Sequence, residues 1–145
     1  MRINSFYTEG TKAVRPELFD KTAEEIACSF VSVGKDNRGG NFVDGISKTQ
    51  LRRLFDEVKR FEQGLDGSPE KWSEKYPYIR MIKSKACYNI CRAKEKSRNK
   101  TVYENLLSFI EEGIGLIKDE KDYHVFTSLF EAVYGFYYEK NPKND

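Results

Sequence analysis

With 145 residues, of which 39% are hydrophobic and 33% charged, the chain predicts one compact, helix-rich domain with a real hydrophobic core. No segment reaches the roughly 18–20 uncharged apolar residues that span a bilayer, and the first residues lack the apolar core of a secretory signal. The three cysteines are an odd number, which argues against a disulfide framework. The net charge is only +2. We therefore expect a cytoplasmic protein with no membrane partner.

The first third of the chain predicts an arm, a helix and a loop. Residues 1–15 show no periodicity and predict an N-terminal arm that is either loose or docked. Pro16 opens an amphipathic helix to about Val33, because apolar residues recur there at three- and four-residue steps. The polar, glycine-rich stretch that follows predicts a flexible loop over residues 34–46. That loop lacks the residue pattern of a phosphate-binding loop.

Capping signals mark the next two helices. Ser47 and Gln50 form a capping box in front of a helix that extends through residue 63. Ser68, followed by a first-turn proline, begins another helix. Pro77 is expected to kink or interrupt that helix, because proline lacks the amide hydrogen and clashes with the preceding turn. The helical pattern then continues to about Lys96.

Two more helices complete the predicted fold. One covers residues 99–117, where Gly113 and Gly115 weaken the helix and permit close packing. The other covers residues 119–139. We see no strand-like alternation of useful length and no internal repeat. The sequence therefore predicts an all-α, helical-bundle domain of about five helices over residues 1–145.

The positive charge is concentrated in the middle of the chain. Residues 47–100 carry +8, whereas residues 1–46 carry −1 and residues 101–145 carry −5. Residues 80–100 hold eight basic side chains and one acid, Glu95. On a helical wheel, one ribbon beside the apolar face contains Lys85, Tyr88, Arg92 and Lys96. The opposite flank contains Arg80, Lys83, Lys94 and Arg98.

This charge distribution is typical of a surface that binds a polyanion. Guanidinium and ammonium groups suit phosphate oxygens, and the ring of Tyr88 can stack on a base or a ribose. On the preceding helix we expect Arg53 and Arg60 to be partly neutralised by acids one turn away, Glu57 and Asp56. The pattern predicts sequence-independent nucleic-acid binding, with an ordinary solvated charged face as the alternative.

The sequence lacks the residues of a catalytic or metal centre. His124 is the only histidine, so mechanisms that pair a histidine with serine, cysteine or a second histidine lack partners. Cys87 and Cys91 are four residues apart, but structural zinc sites show four clear ligands. We interpret these thiols as half-buried packing groups. We therefore predict neither an enzyme nor a cofactor or metal site.

Four segments of the chain resemble the motifs of one known protein family and follow the same order. They are residues 18–25, residues 47–52 with 57–60, residues 81–88 followed by Arg92, and residues 126–136. Together they resemble the small subunit of type III-A CRISPR effector complexes, the Csm small subunit. The third segment is similar to its Lys-x-Lys-x-x-Tyr element, and the fourth to its closing Phe-x-x-Phe-Glu-Ala helix. Ser84 and Cys91 depart from that pattern, but neither change removes a basic group.

The resemblance implies a non-catalytic subunit that self-associates along a guide-RNA filament and contacts other Csm subunits. Its nucleic-acid partners would be guide RNA and target RNA, with single-stranded DNA as a further candidate. The motif residues carried over are Lys48, Arg52, Lys59, Lys83, Lys85, Tyr88 and Arg92. The basic segment adds Arg80, Lys94 and Lys96 as candidate RNA-binding residues. The alternatives are a stand-alone helical DNA-binding regulator and a scaffold that binds only protein.

Overall fold

A computed structural model describes residues 3–35, 38–39 and 41–140. Within these residues the chain forms five α-helices and one two-stranded antiparallel sheet. The helices are α1 (Ala23–Cys28, preceded by a π-helical turn at Leu18–Thr22), α2 (Lys48–Gln63), α3 (Pro69–Lys96), α4 (Lys100–Leu116) and α5 (Glu120–Glu139). The strands are β1 (Val31–Lys35) and β2 (Asn41–Gly45). The predicted all-α class and the number of helices are confirmed, and the small sheet is an addition.

The core lies around α5, which packs against α1 and α2, while α3 packs along α4. Phe109 of α4 meets Phe126 and Phe130 of α5 with ring centroids 5.6 and 5.3 Å apart. The buried side chains of α3 form a single narrow stripe of Ile79, Ile82, Ala86 and Ile90. Most of the circumference of α3 is therefore left at the surface, and this is the helix that carries the basic segment.

The helix starts follow the capping signals in the sequence. The Ser47 side chain accepts a hydrogen bond from the Gln50 amide, and the Ser68 side chain accepts one from the Lys71 amide. Asn99 caps α4 in the same way. These side chains satisfy amide groups that have no partner inside the helix. The predicted starts of α2, α3 and α4 are thus confirmed. They could be predicted because each helix start depends on residues within one turn.

The N-terminal arm over residues 1–15 is docked in the part that the structure describes, so the loose form is wrong there and the docked alternative is confirmed. Ile3 and Phe6 are each 1% exposed and belong to the core. The Ile3 amide donates a hydrogen bond to Glu112 Oε2 at 3.2 Å, and the Tyr7 hydroxyl donates one to Asp122. Both partners lie more than 100 residues away in the chain, so local periodicity contained no sign of this docking.

The predicted helix to Val33 and the flexible loop over residues 34–46 are also corrected. Helix α1 ends at Cys28, and β1 then pairs with β2 in a register that places Val33 opposite Val43. The hairpin is held to the core where the Ile46 amide donates to the Phe30 carbonyl and Tyr137 donates to the Ile46 carbonyl. Each strand has only five residues, too few for alternation to stand out. Residues 36, 37 and 40 of the predicted loop lie outside the described residues.

The predicted interruption of α3 at Pro77 is wrong, since the helix is continuous from Pro69 to Lys96. Proline leaves the carbonyl of Ser73 without its helical hydrogen-bond donor. Pro77 and Ser73 are both exposed, so water can satisfy this carbonyl. Buried Ile79 and half-buried Tyr76 meanwhile hold both halves of the helix to the core. The basic segment therefore lies on one continuous helix.

His124 connects α5 to α2 and makes the fold sensitive to pH. Its Nδ1 lies 2.8 Å from Glu62 Oε2 and its Nε2 lies 3.1 Å from Glu120 Oε2, while Lys59 also contacts Glu62 at 3.4 Å. Burial alone would lower the pKa of His124. The hydrogen bonds to Glu62 and Glu120, together with their negative charges, outweigh burial and raise the pKa of His124 above its ordinary value.

We expect His124 to stabilise the fold mainly below about pH 6.5, the ordinary histidine pKa, where the unfolded chain is also protonated. This contribution is lost as the pH rises through the higher pKa of the folded state. The His124 side chain is 43% exposed, so the effect is screened and stays below about 1 kcal/mol. Urea unfolding of the wild type and His124→Gln should therefore differ more at about pH 6 than at about pH 8.5. The opposite trend would contradict the assignment.

Candidate nucleic-acid interface

A groove runs along the surface between α2 and α3. Its first part is a cleft of about 350 Å³ that also reaches α4, and its second part is an open depression further along the two helices. The two parts share Glu57 of α2 and Asn89 of α3, so they form one continuous surface. We call it the α2–α3 groove.

Helix α3 contributes the ribbon that the sequence predicted. Lys85, Tyr88, Arg92 and Lys96 all line the α2–α3 groove. The Arg92 guanidinium carbon lies 5.6 Å from the centroid of the Tyr88 ring, a cation–π contact that holds both side chains at the surface. Tyr88 is 63% exposed, so the outer part of its ring is free to stack on another group. The structure thus brings these four side chains together.

Helix α2 contributes different cations from those chosen by sequence reasoning. Lys48, Arg52 and Lys59 do not line the groove. Arg52 Nε lies 3.8 Å from Asp56 Oδ2 on an exposed flank, and Lys59 Nζ lies 3.4 Å from Glu62 Oε1. These three candidates therefore lie on the other flank of α2, apart from the surface that contains the α3 ribbon, and their role in RNA binding stays a prediction.

Arg53 and Arg60 line the groove instead. The local ion pairs expected for them do not form, since Asp56 pairs with Arg52 and Glu57 pairs across the groove with Lys85. The signal that identifies them is the spacing of Gln50, Arg53, Glu57 and Arg60, which places four polar side chains on one face of α2. From the sequence alone, this face and the face of Lys48, Arg52 and Lys59 are equally plausible as the side of α2 that lines a groove.

The remaining basic candidates lie on the opposite flank of α3, toward α4. Lys94 Nζ contacts Glu104 Oε1 of α4 at 2.9 Å. Arg80 donates a hydrogen bond to the Tyr76 hydroxyl at 3.1 Å, and its guanidinium carbon lies 5.7 Å from the centroid of the same ring. Lys83 is exposed on this flank beside Cys87. The structure therefore separates Arg80, Lys83 and Lys94 from the α2–α3 groove.

Glu57 is the acid that lines the groove within the part of the chain that the structure describes. Its Oε1 lies 3.5 Å from Lys85 Nζ, and its side chain is only 20% exposed. A half-buried carboxylate in this place has two effects: it orients the Lys85 ammonium group, and it lowers the positive potential at the centre of the groove.

The cysteine pair is a surface feature of α3. Cys87 is half-buried and Cys91 is exposed, so the expectation of two half-buried thiols holds only for Cys87. A hydrogen bond with Cys91 raises the pKa of Cys87 and favours its protonated form. Among the described residues, His, Cys, Asp and Glu side chains do not gather in groups of three or more that could hold a metal ion. In the same part of the chain, every helix is too short or too polar to cross a membrane.

Comparison with known families decides the identity of the chain. The model of the family Csm2 Type III-A matches residues 15–142. This chain belongs to the Csm2 family. It is thus a small subunit of a type III-A CRISPR complex, which confirms the resemblance found in the four sequence segments. A Csm2 protein is a structural subunit whose partners are the other Csm components.

Family membership excludes one of the two alternatives that the sequence left open. A stand-alone DNA-binding regulator does not fit a chain that matches Csm2 over almost its whole length. The long, uninterrupted α3 also differs from the short recognition helix of a helix-turn-helix protein. Comparisons with curated proteins and with solved structures gave no significant match.

Proposed function

We propose that this Csm2 protein is a non-catalytic subunit that binds the backbone of guide and target RNA in its α2–α3 groove during antiviral defence. The observation that carries the proposal is the convergence of five cations from two helices on one surface. They are Arg53, Arg60, Lys85, Arg92 and Lys96. Only Lys85 among them is paired with a described carboxylate, that of Glu57.

The dimensions of the groove suit a nucleic-acid strand. With a rise of about 1.5 Å per residue, Lys85 and Lys96 are about 16 Å apart along α3, a distance that covers several phosphates. Contacts to phosphates carry no sequence information, so one surface can serve many different guides. Exposed Tyr88 adds a stacking contact that every base can make. The same chemistry would accept single-stranded DNA.

A binding role without catalysis follows from the chemistry of the side chains. His124, the one histidine, is held between Glu62 and Glu120 on the α2–α5 side of the fold, and neither His124 nor these two acids line the groove. The groove itself contains cations, amides, a serine, two tyrosines, apolar side chains and Glu57, which suit binding and positioning. Cleavage would then belong to other Csm subunits, and a cytoplasmic location would follow from the RNA substrate.

The structural alternative is a subunit that binds only protein. In that case the basic groove would receive an acidic surface of a neighbouring subunit or of a second copy. We favour RNA because the groove combines cations with an exposed aromatic ring, a pairing that single-stranded nucleic acids use. Self-association along the filament is compatible with this proposal, since the described acidic side chains of residues 101–140 do not line the groove.

The proposal is tested by fluorescence anisotropy with labelled single-stranded RNAs of unrelated sequence over a series of salt concentrations. Five phosphate contacts to a single strand predict a slope of about −3.5 in a plot of log affinity against log salt. RNAs of different sequence should give similar affinities. Absence of binding at low salt would leave the protein-only scaffold as the better explanation.

Glu57 provides a sharper test of the groove. We expect Glu57→Gln to tighten RNA binding about threefold to tenfold, because the variant removes a negative charge from the groove and frees Lys85 for a phosphate. The matched control is Asp56→Asn, which removes the same charge from the outer flank beside Arg52 and should leave the affinity nearly unchanged. If Asp56→Asn tightened binding instead, RNA would be contacting the Lys48–Arg52–Lys59 flank. Anisotropy titrations of both variants provide the comparison.

A further inference from the structure

The cleft at the α4 end of the groove is built differently from the rest of this surface. Its inner wall is mostly apolar and is formed by Leu54 of α2, by Ala86, Ile90 and Ala93 of α3, and by Tyr103 and Leu106 of α4. Its rim is polar and carries Arg53, Arg92 and Lys96, together with the side-chain amides of Gln50 and Asn89. The open depression has no comparable wall, because polar residues and Tyr88 form most of its lining.

A surface that only holds phosphates does not need such a cleft. Phosphates remain hydrated or contact cations, and an apolar wall provides neither hydrogen-bond donors nor positive charge. The cleft volume of about 350 Å³ lies at the lower end of the range of roughly 300–1,000 Å³ that is typical of small-molecule sites. A ligand that fits must be flat or compact, apolar on its faces, and attached to negative charge at the mouth.

A nucleobase attached to its phosphate meets all of these requirements. Arg53, Arg92 and Lys96 at the rim can hold the phosphates on either side while the base enters the cleft. Each of the amides of Gln50 and Asn89 offers both hydrogen-bond donors and an acceptor. By turning over, an amide can therefore match the edge of more than one base, which agrees with low sequence preference.

We propose that this cleft receives one unstacked nucleobase from the RNA strand bound in the α2–α3 groove. The inference rests on the proposed RNA-binding function and adds to it a base-binding subsite. The strand is then held by phosphate contacts along α3 and by one base inserted between α2, α3 and α4. The inserted base positions the strand on each copy of the subunit without reading its identity.

The experiment compares two probes of equal length: a single-stranded oligouridine and an oligomer with the same ribose-phosphate backbone but no bases. For the wild-type protein, we expect the oligouridine to bind about tenfold more tightly than the abasic oligomer at the same salt concentration. Ala93→Phe fills the cleft without changing any charge. It should remove most of this preference, leave only the part that stacking on Tyr88 contributes, and not change the affinity for the abasic oligomer.

A second variant is needed because Ala93 is half-buried and a larger side chain there can disturb folding. Asn89→Leu replaces an exposed side chain at the rim and should reduce the preference for oligouridine in a protein that melts like the wild type. Equal binding of both oligomers by the wild type would overturn the inference, together with the stacking on Tyr88, and leave the binding of phosphates in the groove intact. A folded variant that keeps the full preference would also overturn it. Failure of the wild type to bind either oligomer would instead overturn the proposed function.

Discussion

Replacing Lys85, Arg92 and Lys96 together with glutamate is expected to weaken RNA binding by about a thousandfold. Each of these side chains offers a charged hydrogen bond to a phosphate, worth about 1.5 kcal/mol or more, and every 1.4 kcal/mol corresponds to a factor of ten in affinity. The glutamates would also repel the strand. Anisotropy titrations at low salt measure the loss, and circular dichroism verifies that the variant keeps its helices.

The fold should tolerate this triple change, because the three side chains line an open groove and lie outside the hydrophobic core. The Lys85 side chain is 53% exposed, and its pair with Glu57 contributes about 1 kcal/mol at most. We therefore expect only a small fall in the melting temperature. A large fall in the melting temperature would mean that the loss of RNA binding reports unfolding. The single variant Arg92→Glu would then test whether the groove binds RNA.

The matched control reverses three cations that do not line the groove, two on the opposite flank of α3 and one just beyond the C-terminal end of that helix. Arg80, Lys83 and Arg98 are all exposed, and replacing them with glutamate changes the net charge by the same amount as the groove variant. We expect their reversal to weaken binding only a few-fold, through the long-range field that salt screens. Equal losses in both triple variants would mean that RNA responds to overall charge, and the assignment to the α2–α3 groove would be wrong.

The second large effect concerns stability at the contact between α4 and α5. Gly113→Ala should destabilise the protein by about 2 kcal/mol. A Cβ atom at Gly113 would lie 2.6 Å from Phe126 Cδ1 and closer still to Cε1 of the same ring. Phe126 is fully buried between Phe109 and Phe130, so its ring cannot move aside without disturbing both neighbours. This strain exceeds the roughly 1 kcal/mol that alanine contributes over glycine within a helix.

Gly115 provides the matched control within the same helix. A Cβ atom there would meet nothing within 4 Å, so Gly115→Ala gains helix propensity without a clash. We expect a gain of up to about 0.5 kcal/mol, reduced from the mid-helix value because Gly115 lies in the last turn of α4. Urea unfolding of both variants measures the difference. A Gly113→Ala protein as stable as the wild type would show that α5 can shift away from α4 without cost.

The two glycines show what the sequence could predict about packing. Both glycines weaken the helix in the same way, and the sequence indicated close packing for the pair. It did not indicate which of the two packs against a neighbouring helix. The structure separates them because Gly113 faces α5 and Gly115 faces open space. Which glycine faces a neighbour depends on where α5 packs against α4, and the residues within the same helical turn do not determine that position.

The candidate site shows the same division between its two helices. On α3 the ribbon of Lys85, Tyr88, Arg92 and Lys96 was predicted, because one apolar stripe defines which faces of that helix remain outside. On α2 the prediction named the flank of Arg52, whereas the flank of Arg53 lines the groove. Both flanks border the apolar face of α2 equally, and only the approach of α3 makes one of them part of a groove.

The sequence by itself determined the helical class, the capped starts of the helices, the concentration of charge on α3 and the membership of the Csm2 family. These properties depend on periodicity, capping and composition, which act over one or two turns. Only the tertiary structure decided that Ile3 and Phe6 of the N-terminal arm are buried in the core, that residues 31–35 pair with 41–45, and which flank of α2 faces α3. Those features depend on contacts between residues far apart in the chain, and their energies arise only when the whole core assembles around α5.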